Sequence, residues 1–131
     1  MALLVDTSAW VEFLRSTGSP VSDRVRGLAD TRDFAITDVI VAELLVGART
    51  AKAARSLRAL ASTGRFYPVR PLFDYETAAQ IGLTCRSAGT PVALSDCLIA
   101  AVALNSDLEL LAADRDFEVI AELVPLQLDS I

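Results

Sequence analysis

Short apolar runs alternate with segments of helical period from one end of the chain to the other. Residues 2–5 (ALLV) have the length and make-up of a buried strand. TSAWVEFLRS follows, with Trp10, Val11, Phe13 and Leu14 on helical spacing and Thr7 or Ser8 at the cap position. Gly18 and Pro20 break that helix, and residues 21–30 form a charged helical segment. Asp33 to Ile36 reads as a second strand. Thr37 or Asp38 then caps VIVAELLVGA, a helix apolar on nearly all sides and so expected to be buried. A helix over 50–62 ends at Gly64, and FYPV (66–69) is a third short strand before Pro71. Residues 74–88 are helical, Gly89 and Pro91 make a loop, and Ser95 caps DCLIAAVALN. LELLAA (108–113) is a fourth strand and DRDFEVIAEL (114–123) a short helix. VPLQL (124–128) is a closing edge strand, where Pro125 is tolerated. Strands alternating with helices predict an α/β fold, a mostly parallel sheet of about five strands with helices on both faces. With no repeat and no linker, residues 1–131 are expected to form a single domain.

Four acids punctuate this apolar pattern. Asp6 closes ALLV, Glu43 interrupts VIVA and LLVG, Asp96 opens CLIAAVAL, and Asp114 closes LELLAA. An ionised carboxylate beside so much apolar surface is costly unless something compensates it. None of the four has a Lys or Arg before it in its own run, and the chain has no His. In open α/β sheets, ligands bind beyond the carboxyl ends of the strands. Asp6 and Asp114 follow strands one and four, so both fall on that edge. Helices begin at the same edge, which brings Asp96, in a first turn, and Glu43, about one turn in, toward it. Acids gathered so closely repel one another and call for a cation; hard divalent ions prefer oxygen ligands. Asp6 and Asp114 could also cap the helices after them, and Asp96 could answer a helix dipole. Glu43, in mid-helix, has no such alternative. Asp116, two residues past Asp114, is a fifth ligand, an outer supporting group or a surface charge.

The bulk numbers narrow the field. The chain is 53% hydrophobic with a mean hydropathy of +0.43. No apolar run approaches a bilayer span, and MALLVDTS has neither a basic region nor a cleavage signal, so a cytoplasmic protein without a membrane is expected. The apolar surplus suggests either a buried partner surface, such as a homodimer's, or simply a core rich in Ala and Val. Cys85 and Cys97, without CxxC spacing, are expected to be free core thiols. A net charge of −5 argues against general nucleic-acid affinity, which would have to come from a local basic patch or bound metal. Arg49, Lys52, Arg55 and Arg58 recur every three residues and form a broad arc on the 50–62 helix, equally readable as a solvated face or an RNA track.

DTSAW, the lone Glu of VIVAELLVGA, SDCLIAAVAL and LLAADRDF resemble, in order and spacing, the four motifs of PIN-domain nucleases, and more narrowly those of VapC toxins of toxin–antitoxin pairs. The resemblance covers roughly residues 3–120. It implies a three-layer α/β/α sandwich, Mg²⁺ or Mn²⁺ dependence and endonucleolytic cleavage of RNA. Carried over, it makes Asp6, Glu43, Asp96 and Asp114 the acidic quartet, with Asp116 accessory. It also implies a VapB-like antitoxin that lays a helix beside the site, for which Trp10, Phe13 and Leu14 are the candidate surface. The family often has Thr or Ser two residues before the fourth acid. Here that residue is Ala112, and Thr7, Ser8 or Ser95 could stand in.

Phosphodiester hydrolysis needs a nucleophile at neutral pH and relief of phosphate charge, and a divalent ion supplies both. Asp6 and Asp96 are expected to ligate it directly, together with Asp114, which completes the site or holds a second ion. Glu43 would act through water or as base. A receiver domain would need a Lys near the last strand, but the only Lys is Lys52. A haloacid-dehalogenase-like phosphatase would need Asp-x-Asp where the chain reads Asp6-Thr7-Ser8. A catalytically idle PIN-like binding module and a non-toxin RNA-processing nuclease remain as alternatives.

Overall fold

The computed structural model describes residues 2–129. Its elements run β1 (Leu3–Val5), α1 (Thr7–Leu14), α2 (Pro20–Thr31), β2 (Ala35–Ile36), α3 (Asp38–Gly47), α4 (Ala51–Ala61), β3 (Arg65–Phe66), α5 (Phe73–Ser87), α6 (Leu94–Asn105), β4 (Glu109–Leu111) and α7 (Asp116–Leu123). The strands form a parallel sheet in the order β3-β2-β1-β4. Leu4 stands opposite both Ala35 and Leu110, which puts β1 inside the sheet. Helices cover both faces, giving a three-layer α/β/α sandwich. Each crossover returns the chain to the same edge, so every strand ends on one side.

The sheet is shorter than the pattern predicts. The expected third strand over 66–69 is two residues, because Pro68 has no N–H for the ladder; Tyr67 makes the last bond, to Ile36 C=O at 2.8 Å. The closing strand over 124–128 shrinks to one parallel bridge between Leu128 and Leu110, for the same reason at Pro125. Among the described residues the sheet therefore has four strands, close to the expected five.

The core follows the apolar pattern. Cys97 through Ala103 are all buried, so α6 lies deep in its layer with only its two ends near solvent. Cys85 and Cys97 are buried free thiols, as expected. Trp10 packs edge-on against Phe34, ring centres 5.0 Å apart, and Phe34 in turn lies flush against Gly64. α3 departs from expectation: only Ile40 and Leu44 are buried, and Val46 is 88% exposed. One side of α3 meets no second layer and instead forms, with α1 and α4, a groove of about 670 Å³. Among the described residues no helix is long and apolar enough to cross a membrane.

Candidate metal centre

Asp6 is buried and is itself the N-cap of α1, correcting the expectation of Thr7 or Ser8. Its Oδ2 accepts the Ser8 N–H at 3.0 Å and the Ser8 hydroxyl at 2.6 Å. Its N–H donates to Leu111 C=O at 2.9 Å, joining the end of β1 to the end of β4. Capping and site-building are thus not alternatives for this residue. Burial is the larger influence on its carboxyl and raises its pKa; the Ser8 and Thr7 hydrogen bonds oppose it, and the charge of Glu43 adds to the rise.

Glu43 is half-buried on α3 and accepts the Thr7 hydroxyl at 2.7 Å. Asp96 stands in the first turn of α6, whose N-cap is Ala93 rather than Ser95. Ser95 cannot cap from inside the helix. Asp114 and Asp116 lie in and just after the turn from β4 to α7, and Asp114 Oδ1 accepts the Asp116 N–H at 2.9 Å.

Carboxylate oxygens of Asp96, Asp114 and Asp116 all lie within 4.8 Å of one another. Asp116 is therefore as much part of the cluster as Asp114, which sequence spacing alone could not decide. Asp6 falls outside that triad, yet its charge is the largest of those acting on Asp96, followed by Asp114, Asp116 and Glu43. Burial first, and those charges second, push Asp96 up to about 7. Among the described residues, the ion pairs involve Asp129, Asp74 and Glu118, and none reaches these five acids.

This donor set fits a hard divalent cation. All the donors are carboxylate oxygens, and their mutual repulsion lacks a protein countercharge. Oxygens on opposite sides of Mg²⁺ stand about 4.2 Å apart, so the observed spacing needs only slight closure. Asp96, Asp114 and Asp116 are placed to hold such an ion, with Asp6 beside them and Glu43 at the margin.

Two hydroxyls complete the arrangement, in the absence of one at Ala112. Thr7 holds Glu43. The Ser8 hydroxyl accepts the Ala113 N–H at 2.9 Å while donating to Asp6. Sequence reasoning named both as stand-ins without being able to choose their partners.

The apolar candidates separate. Trp10 is 1% exposed and belongs to the core, which corrects its assignment to a partner surface. It points inward to Phe34, and the Phe13 ring meets it edge-on with centres 6.1 Å apart. Phe13 is half-buried beneath the Arg26 guanidinium, and Leu14 is 46% exposed. Leu14 lines the groove with Leu44, Leu57 and Leu60, and Thr7 and Glu43 line it too. Arg49 also lines the groove, whereas Lys52, Arg55 and Arg58 are exposed around the other side of α4.

A family model described as the PIN domain matches residues 3–123. A VapC ribonuclease of Mycobacterium bovis is 37% identical over 128 residues, covering 95% of this chain and 96% of its own. The ribonuclease VapC11 of Mycobacterium tuberculosis matches to the same extent. Among solved structures, VapBC2 of Rickettsia felis bound to a promoter DNA fragment superposes with a TM-score of 0.75 at 17% identity, over 98% of both chains.

Proposed function

The chain belongs to the PIN-domain family, and from that premise we propose that its acids form the catalytic centre of a Mg²⁺- or Mn²⁺-dependent endoribonuclease. The protein is a ribonuclease, hydrolysing RNA phosphodiester bonds. The observation that carries the metal reading is the convergence of Asp96, Asp114 and Asp116 beside Asp6, with no ion pair to any of them among the described residues. A bound divalent ion would acidify a water and draw charge from a phosphate oxygen. Asp6, Asp96 and Asp114 would hold it, with Asp116 as accessory acid. Glu43, fixed by Thr7, orients the attacking water and takes its proton. The whole chain acts as one nuclease domain.

Purified protein is expected to cut RNA with Mg²⁺ or Mn²⁺ and to stop when EDTA removes them. Gel analysis of a defined RNA checks this, and cutting that persists in EDTA would overturn the metal requirement.

RNA reaches the acids past Arg49, which shares the groove with Glu43, with Lys52 next along α4. In an Asp96→Asn background that cannot cut, Arg49→Ala/Lys52→Ala should weaken binding of all RNA sequences alike. It should also flatten the log–log salt dependence by about 0.7 per lost contact. Arg55→Ala/Arg58→Ala should matter less, since these residues lie farther from Glu43. An unchanged affinity and salt slope in the first pair would show a solvated face.

The protein works as the toxin of a toxin–antitoxin pair in the cytoplasm, and as a homodimer. The groove between α1, α3 and α4 receives the antitoxin: it is apolar along Leu14, Leu44 and Leu57 and acidic at the Glu43 end. An amphipathic helix with a terminal basic side chain matches both features.

A further inference from the structure

We propose that Ser8 is a positioning residue for the metal centre, holding Asp6 and the β4–α7 turn in one arrangement. The proposal rests on the divalent-metal reading of the acids. The Ser8 hydroxyl has one proton, which it gives to Asp6 Oδ2 at 2.6 Å. Its oxygen keeps lone pairs and accepts the Ala113 N–H at 2.9 Å. The two bonds are mutually compatible and together fix the hydroxyl. The Ser8 N–H reaches the same Oδ2 at 3.0 Å, so all of Ser8's bonds to the carboxylate fall on one oxygen. These bonds, with that of the Thr7 backbone, hold the carboxylate in one orientation beside the other acids.

The second bond acts on the other side of the site. Residues 112–115 lie between β4 and α7, outside both. Ala112 and Ala113 carry no polar side chain with which to anchor this turn. Yet it presents Asp114 and leads directly into Asp116, two of the three acids that converge. Like charges on Asp6, Asp96, Asp114 and Asp116 push it outward. Ser8 ties it back to β1, and does so through the same hydroxyl that orients Asp6. One side chain thus sets the distance between acids that lie more than a hundred residues apart in the chain.

The test is Mn²⁺ titration by calorimetry on the full chain, wild type against Ser8→Ala and Ser8→Thr, with hydrogen exchange at the Ala113 amide in the metal-free protein. Ser8→Ala should lower Mn²⁺ affinity about 10–100-fold, the range for groups that orient metal ligands. Its Ala113 amide should lose protection. Ser8→Thr, which keeps the hydroxyl, should restore both. If Ser8→Ala does not fold, Ser8→Cys takes its place and should show the same loss, since sulfur bonds weakly. Wild-type Mn²⁺ affinity in Ser8→Ala or Ser8→Cys overturns the role of Ser8 alone. A wild-type protein that takes up no Mn²⁺ overturns the metal reading and this role with it.

Discussion

Asp96→Asn is expected to slow RNA cleavage by orders of magnitude, because it takes one charged ligand from the ion, while making the metal-free protein harder to melt at pH 8. The two effects have one cause. Asp96 is held among Asp6, Asp114, Asp116 and Glu43 with its carboxyl pushed from 3.8 to about 7. Between those values the folded protein binds a proton that the unfolded chain has released. Raising the pH through this window therefore favours unfolding. The metal-free wild type should be more stable at pH 5 than at pH 8, and Mn²⁺ at pH 8 should recover the loss by mass action. Asparagine carries no charge, so the variant's melting temperature should vary less with pH and rise by several degrees at pH 8, at about 3–5 °C per kcal/mol for a domain of this size. Thermal melts with and without metal, beside cleavage assays free of contaminating nuclease, check both. Full cleavage by the variant would remove Asp96 from the catalytic centre.

Gly64→Ala is expected to cost about 1–3 kcal/mol, the usual range for overpacking, even though it adds a single methyl group. That methyl would overlap the Phe34 ring. Phe34 cannot move aside easily, because it is buried and braced by Trp10 on the core side. Gly64 also has an ordinary backbone conformation here, so the penalty comes from packing alone. Phe34→Leu should itself destabilise, by leaving a gap against Trp10. Combined with Gly64→Ala, however, it should do less harm than the sum of the two, since a smaller side chain gives the new methyl room. Urea unfolding of the two single variants and the double variant measures the coupling. Additive losses would mean that the Phe34 ring shifts without strain.

The acids were legible because each is an anomaly in an apolar setting. Glu43 has no reason to interrupt VIVA and LLVG except chemistry, and Asp6 follows a strand at the edge where ligands bind. What was not legible depends on distance across the fold. Asp116 joins the cluster because the turn before α7 brings it back toward α6, which spacing along the chain does not reveal. Trp10 and Leu14 share a helical stripe in the sequence, yet one meets Phe34 and the other lines the groove with Leu44, Leu57 and Leu60. The short β2 and β3 have too few residues to display a period of two, and prolines at 68 and 125 trim the edge pairings further. The apolar wrap of α3 predicted burial but produced an open wall, because apolar character alone does not say whether a side chain meets its own core or a partner.

The strand order has a consequence for how the protein is made. Of the four described strands β1 emerges first, yet it pairs with β4, which emerges last. On the ribosome, Asp6 and Glu43 emerge long before the segment that carries Asp114 and Asp116. Until β4 docks beside β1, the nascent chain holds only part of its acid cluster. The long-range pairing therefore delays assembly of the acid cluster until the β4 segment has emerged and docked. The acid cluster is thus a late product of folding, completed by the same pairing that closes the sheet.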